Sequence, residues 1–225
     1  MATNHAVNTL TLEEKPKGFK ERFFGFPNYI TGHPFKAFYD MKVEGKGDLL
    51  VPTIFLIIHG LVGILRFVYT GFLANQNDPY DLNIFWILVQ NVAPILLFVV
   101  ANWSITTLMD GSGSMRDIYQ VMGYSLYLTI PLNLLSIFLT NILIADEMPF
   151  ALFFSSLGIV IYVIYSFIGL VTVHDFTFLR AVGAVLLTFL AMLVILFLAL
   201  LMVTLLGEVG LFVRTVYHEL VLNLS

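Results

Sequence analysis

Six residues carry the densest chemistry in this chain: Asp110, Arg116, Asp117, His174, Asp175 and Arg180. Carboxylates beside an imidazole could move protons or hold a metal. The spacing argues against both uses. His174 and Asp175 are adjacent, so they cannot share a helix face. No second histidine stands at His-x-x-x-His spacing. Gly111-Ser112-Gly113-Ser114 resembles a phosphate cradle, but no P-loop lysine follows it and no strand precedes it. The Gly-Ser pattern of rhomboid-type proteases and the Gly-x-Gly-Asp of intramembrane aspartyl proteases are absent, and there is no cysteine. No catalytic constellation, cofactor or metal site is expected, and the chain reads as a non-enzyme. The six residues then have two main uses: helix capping with loop-to-loop bridging, or a surface on which a partner docks. Metal or acid–base chemistry is the third and least supported.

The elements that must position them follow from composition. Apolar residues make up 59% of the 225 and charged residues 12%, against about a quarter charged in soluble domains. Five apolar runs each reach the roughly 20 residues needed to cross a hydrocarbon core. They are Leu49 to Leu73, Ile84 to Met109, Ile118 to Leu139, Phe150 to Val173, and Ala181 to Leu206. The expected fold is an all-α polytopic membrane protein with five transmembrane helices and an N-terminal interfacial amphipathic segment. Residues 1–14 read as a flexible tail, 15–48 as a cytoplasmic interfacial segment, 49–206 as the membrane domain, and 207–225 as a short amphipathic tail. In 15–48, Pro34 can open a helix, and Phe35, Phe38 and Tyr39 then share a face among basic residues. That face suits lipid headgroups; packing on the other spans is the compatible alternative.

The block from Asn102 to Asp117 is the one dense polar stretch between long apolar runs. Asn91, Asn102 and Thr106 lie on nearly one stripe and should turn inward to bond across helices. Asn102 can bridge two neighbours, because its amide both donates and accepts. Asp110 is expected to tie the turn 111–114 to the fourth-to-fifth connection through Arg180 or His174. Asp117 suits a helix N-terminus. In the fourth span Ser155, Gly158, Tyr162, Tyr165, Gly169 and Thr172 form one packing face; in the fifth, Ala181, Ala184, Thr188 and Ala191 do so. Pro94 should kink the second span. His59, Arg66, Asn91 and Asn133 are the other polar residues inside spans. Arg66 has three readings: an ion pair with Asp146, Glu147 or Glu208, a contact to a solute or partner, or snorkelling.

Lysine and arginine crowd the N-terminal segment, and Arg116 and Arg180 sit in the second-to-third and fourth-to-fifth connections. The other two loops have none. The positive-inside rule places the N-terminus in the cytoplasm and the C-terminus outside, with Arg214 as the single dissenting residue. Net charge of −4 argues against a nucleic-acid partner.

Several motifs carry a family resemblance. They are His33-Pro34-Phe35-Lys36, Tyr69-Thr70-Gly71-Phe72, Asn102-Trp103 with Thr106-Thr107-Leu108-Met109-Asp110-Gly111, Gly123-Tyr124, and His174-Asp175-Phe176. With these the chain resembles the Yip family of Ypt/Rab-interacting membrane proteins, in its bacterial branch. The resemblance implies five spans with a cytoplasmic N-terminus in a bacterial cell membrane. One departure is Leu128, near where the family tends to place a proline after Gly-Tyr; here the proline is Pro131. Eukaryotic members are adaptors for small GTPases, a role tied to a long N-terminal domain not seen in this sequence. Bacterial members occur beside sugar importers of the ATP-binding-cassette type. The expected function is therefore a non-catalytic membrane adaptor or accessory subunit. Its partners would be lipid and other integral membrane proteins, transporter subunits among them. A small-solute transporter or channel is the alternative, to be favoured if a continuous polar cavity is found.

Overall fold

The computed structural model describes residues 18–224, with the side chains of 79 and 221–224 excepted. The tail expected over 1–14, the start of the segment expected over 15–48, and Ser225 lie outside the described residues. After a wide helical turn at Glu21–Gly25, the elements are α1 (Phe26–Gly32), α2 (Pro34–Val43), α3 (Leu50–Tyr69), α4 (Ile84–Leu108), α5 (Met115–Thr140), α6 (Met148–His174) and α7 (Phe178–Leu224). The last five are long and apolar enough to cross a membrane. The fold is all-helical, and the chain is an integral membrane protein. In hydrocarbon every backbone N–H and C=O must be satisfied within the protein, which a helix does from its own segment.

The helix ends are set by local chemistry. Ser114 and Asp117 form a reciprocal capping box at the start of α5, three residues earlier than apolar content alone indicates. Pro34 opens α2 at its first position, where its missing N–H is harmless. Pro94 and Pro131 sit inside continuous helices.

α5 is the central element. It packs on α3, α4 and α6, and just over half of its apolar window is buried. Ser136 Oγ donates to the Ala151 carbonyl at 2.8 Å, Thr129 Oγ1 to the Gly158 carbonyl at 3.0 Å, and Ser155 Oγ to Asn133 Oδ1 at 3.2 Å. Gly169 faces Val121. The α6 face expected from small-residue spacing is thus largely the α5–α6 seam, except that Thr172 bonds its own helix and Tyr165 bonds α1. Such bonds average about 0.6 kcal/mol each in membranes, so close packing contributes alongside them.

The stripe Asn91, Asn102 and Thr106 divides between two neighbours. Asn91 lies against Gly63 of α3, whereas Asn102 Nδ2 donates to Thr188 Oγ1 of α7 at 3.0 Å. Asn102 Oδ1 has no partner, so the amide bonds one neighbouring helix rather than bridging two. Ala181, Ala184 and Thr188 form the buried stripe of α7, which docks mainly on α4. Only 6% of the apolar window of α7 is buried. This helix does not end near Leu206. It continues through Gly207 and Gly210 to Leu224, a rod of about 70 Å against a hydrocarbon core of about 30 Å. Glycine costs only about 1 kcal/mol in a helix interior, and two glycines do not break a run this long. The amphipathic tail is therefore the end of α7, and Val209, Phe212 and Val213 on it are exposed.

α1 and α2 fold under α5 and α6. The aromatic face expected on α2 is split. Ala37, Phe38, Asp40 and Met41 are buried, while Phe35 and Tyr39 are more than half exposed. Burial of Asp40 is balanced by a hydrogen bond from Tyr29 OH and an ion pair with Lys46, both at 3.0 Å. The Lys46 ammonium holds the Asp40 carboxyl below the usual range; burial opposes this and the Tyr29 hydroxyl reinforces it. Tyr165 OH of α6 reaches the Thr31 carbonyl at 2.7 Å, and Arg22 pairs with Asp48. The segment is packed on the spans, with one aromatic edge left outward.

Candidate functional site

Two polar regions stand at opposite ends of the bundle: a platform of loops, and a recess around Arg66.

The platform forms because two helices end in the same way. Asp110 and Asp175 follow α4 and α6 in the left-handed conformation, with φ of 53° and 55°. The next residue in each case bonds back five positions: Gly111 N–H to the Thr106 carbonyl at 2.8 Å, and Phe176 N–H to the Val171 carbonyl at 3.1 Å. This is the Schellman arrangement that stops a helix, and aspartate tolerates that backbone better than most residues. Both aspartates are exposed. Asp110 is thus a helix terminator, and the tie expected from its carboxylate to Arg180 or His174 is made by other groups. Arg180 donates to the Met109 carbonyl. Gly113 N–H donates to His174 Nδ1 at 3.2 Å.

His174 is 2% exposed. Its ring stacks on Phe176, with centroids 5.2 Å apart, and the Arg180 guanidinium lies 4.5 Å from the centre of the Phe176 ring. An imidazole, a phenyl ring and a guanidinium thus form one layered stack. Gly111 and Gly113 are needed because the loop runs across the imidazole. A Cβ on either would come within 2.7 Å of its ring atoms.

Lys42 completes the platform. Its Nζ donates to Ser112 Oγ at 2.6 Å and to the Val173 carbonyl at 2.5 Å. A cation at the C-terminal end of α6 also suits the helix dipole. The platform therefore joins α2, α4, α6 and α7. Sequence reading missed Lys42, although it lies one turn beyond the buried Phe38, on the same side of α2. Asp117 serves as a helix cap, Arg116 is exposed, and Trp103 is 42% exposed on the rim of the bundle. Asn102 is buried about two turns below the platform. Of the residues singled out here, His174 and Arg180 bond directly across loops and Asn102 bonds α7; the others cap helices or face outward.

At the other end, two cavities of about 290 and 280 Å³ share Arg66 and Asn133. The outer one lies between the end of α3, the loop around Asn75 to Asn77, and α5. The inner one passes Asn91 and Thr129 to reach His59. Among the described residues Arg66 makes no ion pair. The expected pairing with Asp146, Glu147 or Glu208 is not made; Arg66 is exposed, as the snorkelling reading requires, and lines both cavities. Asn133 is held by Thr129 and Ser155, so His59, Arg66, Asn91 and Asn133 meet around one space. Asn102 is separate from it. Among the described residues no three His, Asp or Glu side chains converge as a metal site.

The sequence model of the family described as the Yip1 domain matches residues 30–216. No curated protein and no solved structure matches the chain.

Proposed function

Because this chain belongs to the Yip1 domain family, we propose that it is a non-catalytic membrane adaptor or accessory subunit that assembles with other integral membrane proteins. The observation that carries this reading is the platform. Its polar groups tie four helices into one layer, while the charges of Asp110, Arg116 and Asp175 are left exposed on its surface. Its imidazole and guanidinium are engaged in packing and loop bonds, an arrangement suited to presenting a surface. The partner class placed first is an importer of the ATP-binding-cassette type, as the resemblance to bacterial members implies. The membrane proposed is the bacterial cell membrane, with the platform and N-terminus cytoplasmic and the end of α7 outside.

The test is co-purification in mild detergent of wild type and the double variant Arg116→Glu, Asp175→Lys. Both side chains are exposed, and surface changes of this kind usually alter stability by under about 0.5 kcal/mol. The wild type is expected to retain a stoichiometric membrane partner, and the variant to lose it with unchanged melting. A wild type that purifies alone, yet moves a solute across reconstituted vesicles, sinks the accessory reading. The recess around Arg66 supports that second reading, a transporter. Against it, the platform half of the bundle is packed around buried Val51, Phe55, Ile118 and Val121.

Orientation has its own test. Single cysteines at Ser112 and Asn77, both exposed, are expected to react from opposite sides of intact cells. Ser112 should be reached only after permeabilisation. Reaction of both from outside removes the proposed topology.

A further inference from the structure

We infer that the recess around Arg66 is a binding site for a small oxyanion, a phosphate or carboxylate group held by the guanidinium. This does not depend on the accessory role, since an anion can bind with or without being carried across.

Hydrogen-bonding capacity separates Arg66 from several of the groups around it. Thr140 Oγ1 accepts from Gly71 N–H at 2.9 Å and donates to the Ile137 carbonyl at 2.7 Å. Ser136 donates to Ala151. Asn133 Oδ1 accepts from Ser155, and Nδ2 gives one of its two hydrogens to Thr129. These wall groups are committed to holding α3, α5 and α6 together. Arg66 is not so committed. It has five N–H donors, and among the described residues its side chain makes no hydrogen bond or ion pair.

Charge points the same way. No Asp or Glu lines either cavity. Arg66 is exposed near the end of its span, where a long side chain reaches the interface, and no acid in the wall neutralises its charge. The space carries one positive charge and no negative one, which favours an anionic ligand. A cation is repelled by that charge, and the lining amides of Gln76, Asn77 and Asn91 can donate to an anion as well. Arg66 can grip a phosphate or carboxylate through two parallel N–H bonds.

Depth and size limit the ligand. Arg66 lies one turn from the end of α3, and His59 lies two turns deeper, about 10 Å further in. His59 Nδ1, on the inner cavity alone, is buried without a partner, so only a ligand long enough to extend inward reaches a second polar atom there. The outer cavity, about 290 Å³, sits at the small end of the range for ligand sites. A free phosphate, a small phosphate ester or the headgroup of one phospholipid fits it. The mouth borders both water, at Gln76 and Asn77, and the apolar flank at Leu152, so either source can reach it.

The experiment uses the full chain in detergent, at constant ionic strength set with chloride. Inorganic phosphate is titrated by calorimetry, and phospholipid retained through purification is counted by native mass spectrometry. In wild type, saturable phosphate binding identifies a soluble anion. A retained phospholipid that phosphate does not displace identifies a lipid headgroup. Arg66→Gln should weaken either by about tenfold or more, equivalent to roughly 1.4 kcal/mol, with Arg66→Lys retaining part. Should Arg66→Gln fail to fold, Gln76→Glu places an acid on the exposed rim and should weaken binding by a similar factor. The proposal is overturned if wild type binds neither probe, or if Arg66→Gln, or Gln76→Glu in its place, binds as wild type does.

Discussion

Phe38→Ala is expected to destabilise the detergent-solubilised protein by about 3–5 kcal/mol, the usual cost of emptying a fully buried phenylalanine site. Phe38 is completely buried although it stands in a short helix ahead of the first span. Its ring packs where α5 and α6 meet. A Cβ on Gly169 would sit 3.2 Å from its Cε2, and Val121 closes the same hollow. Phe35, one turn away, is 59% exposed. Phe35→Ala is therefore expected to melt within about 0.5 kcal/mol of wild type and to affect only attachment to lipid. Thermal melting and vesicle flotation of the two variants separate a packed helix from one that rests on the bilayer. If Phe38→Ala melts like wild type, α2 is an interfacial helix and its place in the core is wrong.

Gly123→Val carries the second large effect. Gly123 brings α5 against the first turn of α3. A Cβ there would come within 2.9 Å of the Pro52 carbonyl oxygen and 2.8 Å of its Cα, both backbone atoms. A backbone cannot move aside as a flexible side chain does, so α3 and α5 must separate. Overpacking of this kind costs about 1–3 kcal/mol, and more where the neighbour is rigid. The control is Gly183→Val in α7, where an added Cβ meets nothing within 4 Å. Both changes carry the same helix-propensity term, so the difference between their melting curves measures the α3–α5 contact. Equal melting of the two variants would remove that contact from the account of stability.

These two sites also mark where sequence reading reached and where it stopped. Gly123-Tyr124 was visible as a motif, but a motif does not say that Pro52 is what the glycine makes room for. Phe38 was visible as an aromatic residue at helical spacing, and that spacing grouped it with Phe35 and Tyr39. The buried side of α2 is set by Ala37, Asp40 and Met41 as well. Asp40 can be buried because Tyr29 and Lys46, from outside α2, bond its carboxylate.

The sequence by itself determined the membrane class, the five spans and the face by which α6 packs. The reason is the solvent. Hydrocarbon satisfies no backbone polar group, so an apolar run of sufficient length must be helical, and small residues at helical spacing must then mark a close approach. Only the tertiary structure decided what each face meets. Lys42 reaches the Val173 carbonyl across 131 positions of chain. Asp110 ends a helix while Met109 and Gly113 make the bonds expected of it. Arg66 lines a recess and, among the described residues, pairs with none of the acids that charge counting offered as partners. Periodicity names the side of a helix on which a residue lies. The neighbour on that side, and so the use made of an arginine or an aspartate, depends on how the helices cross.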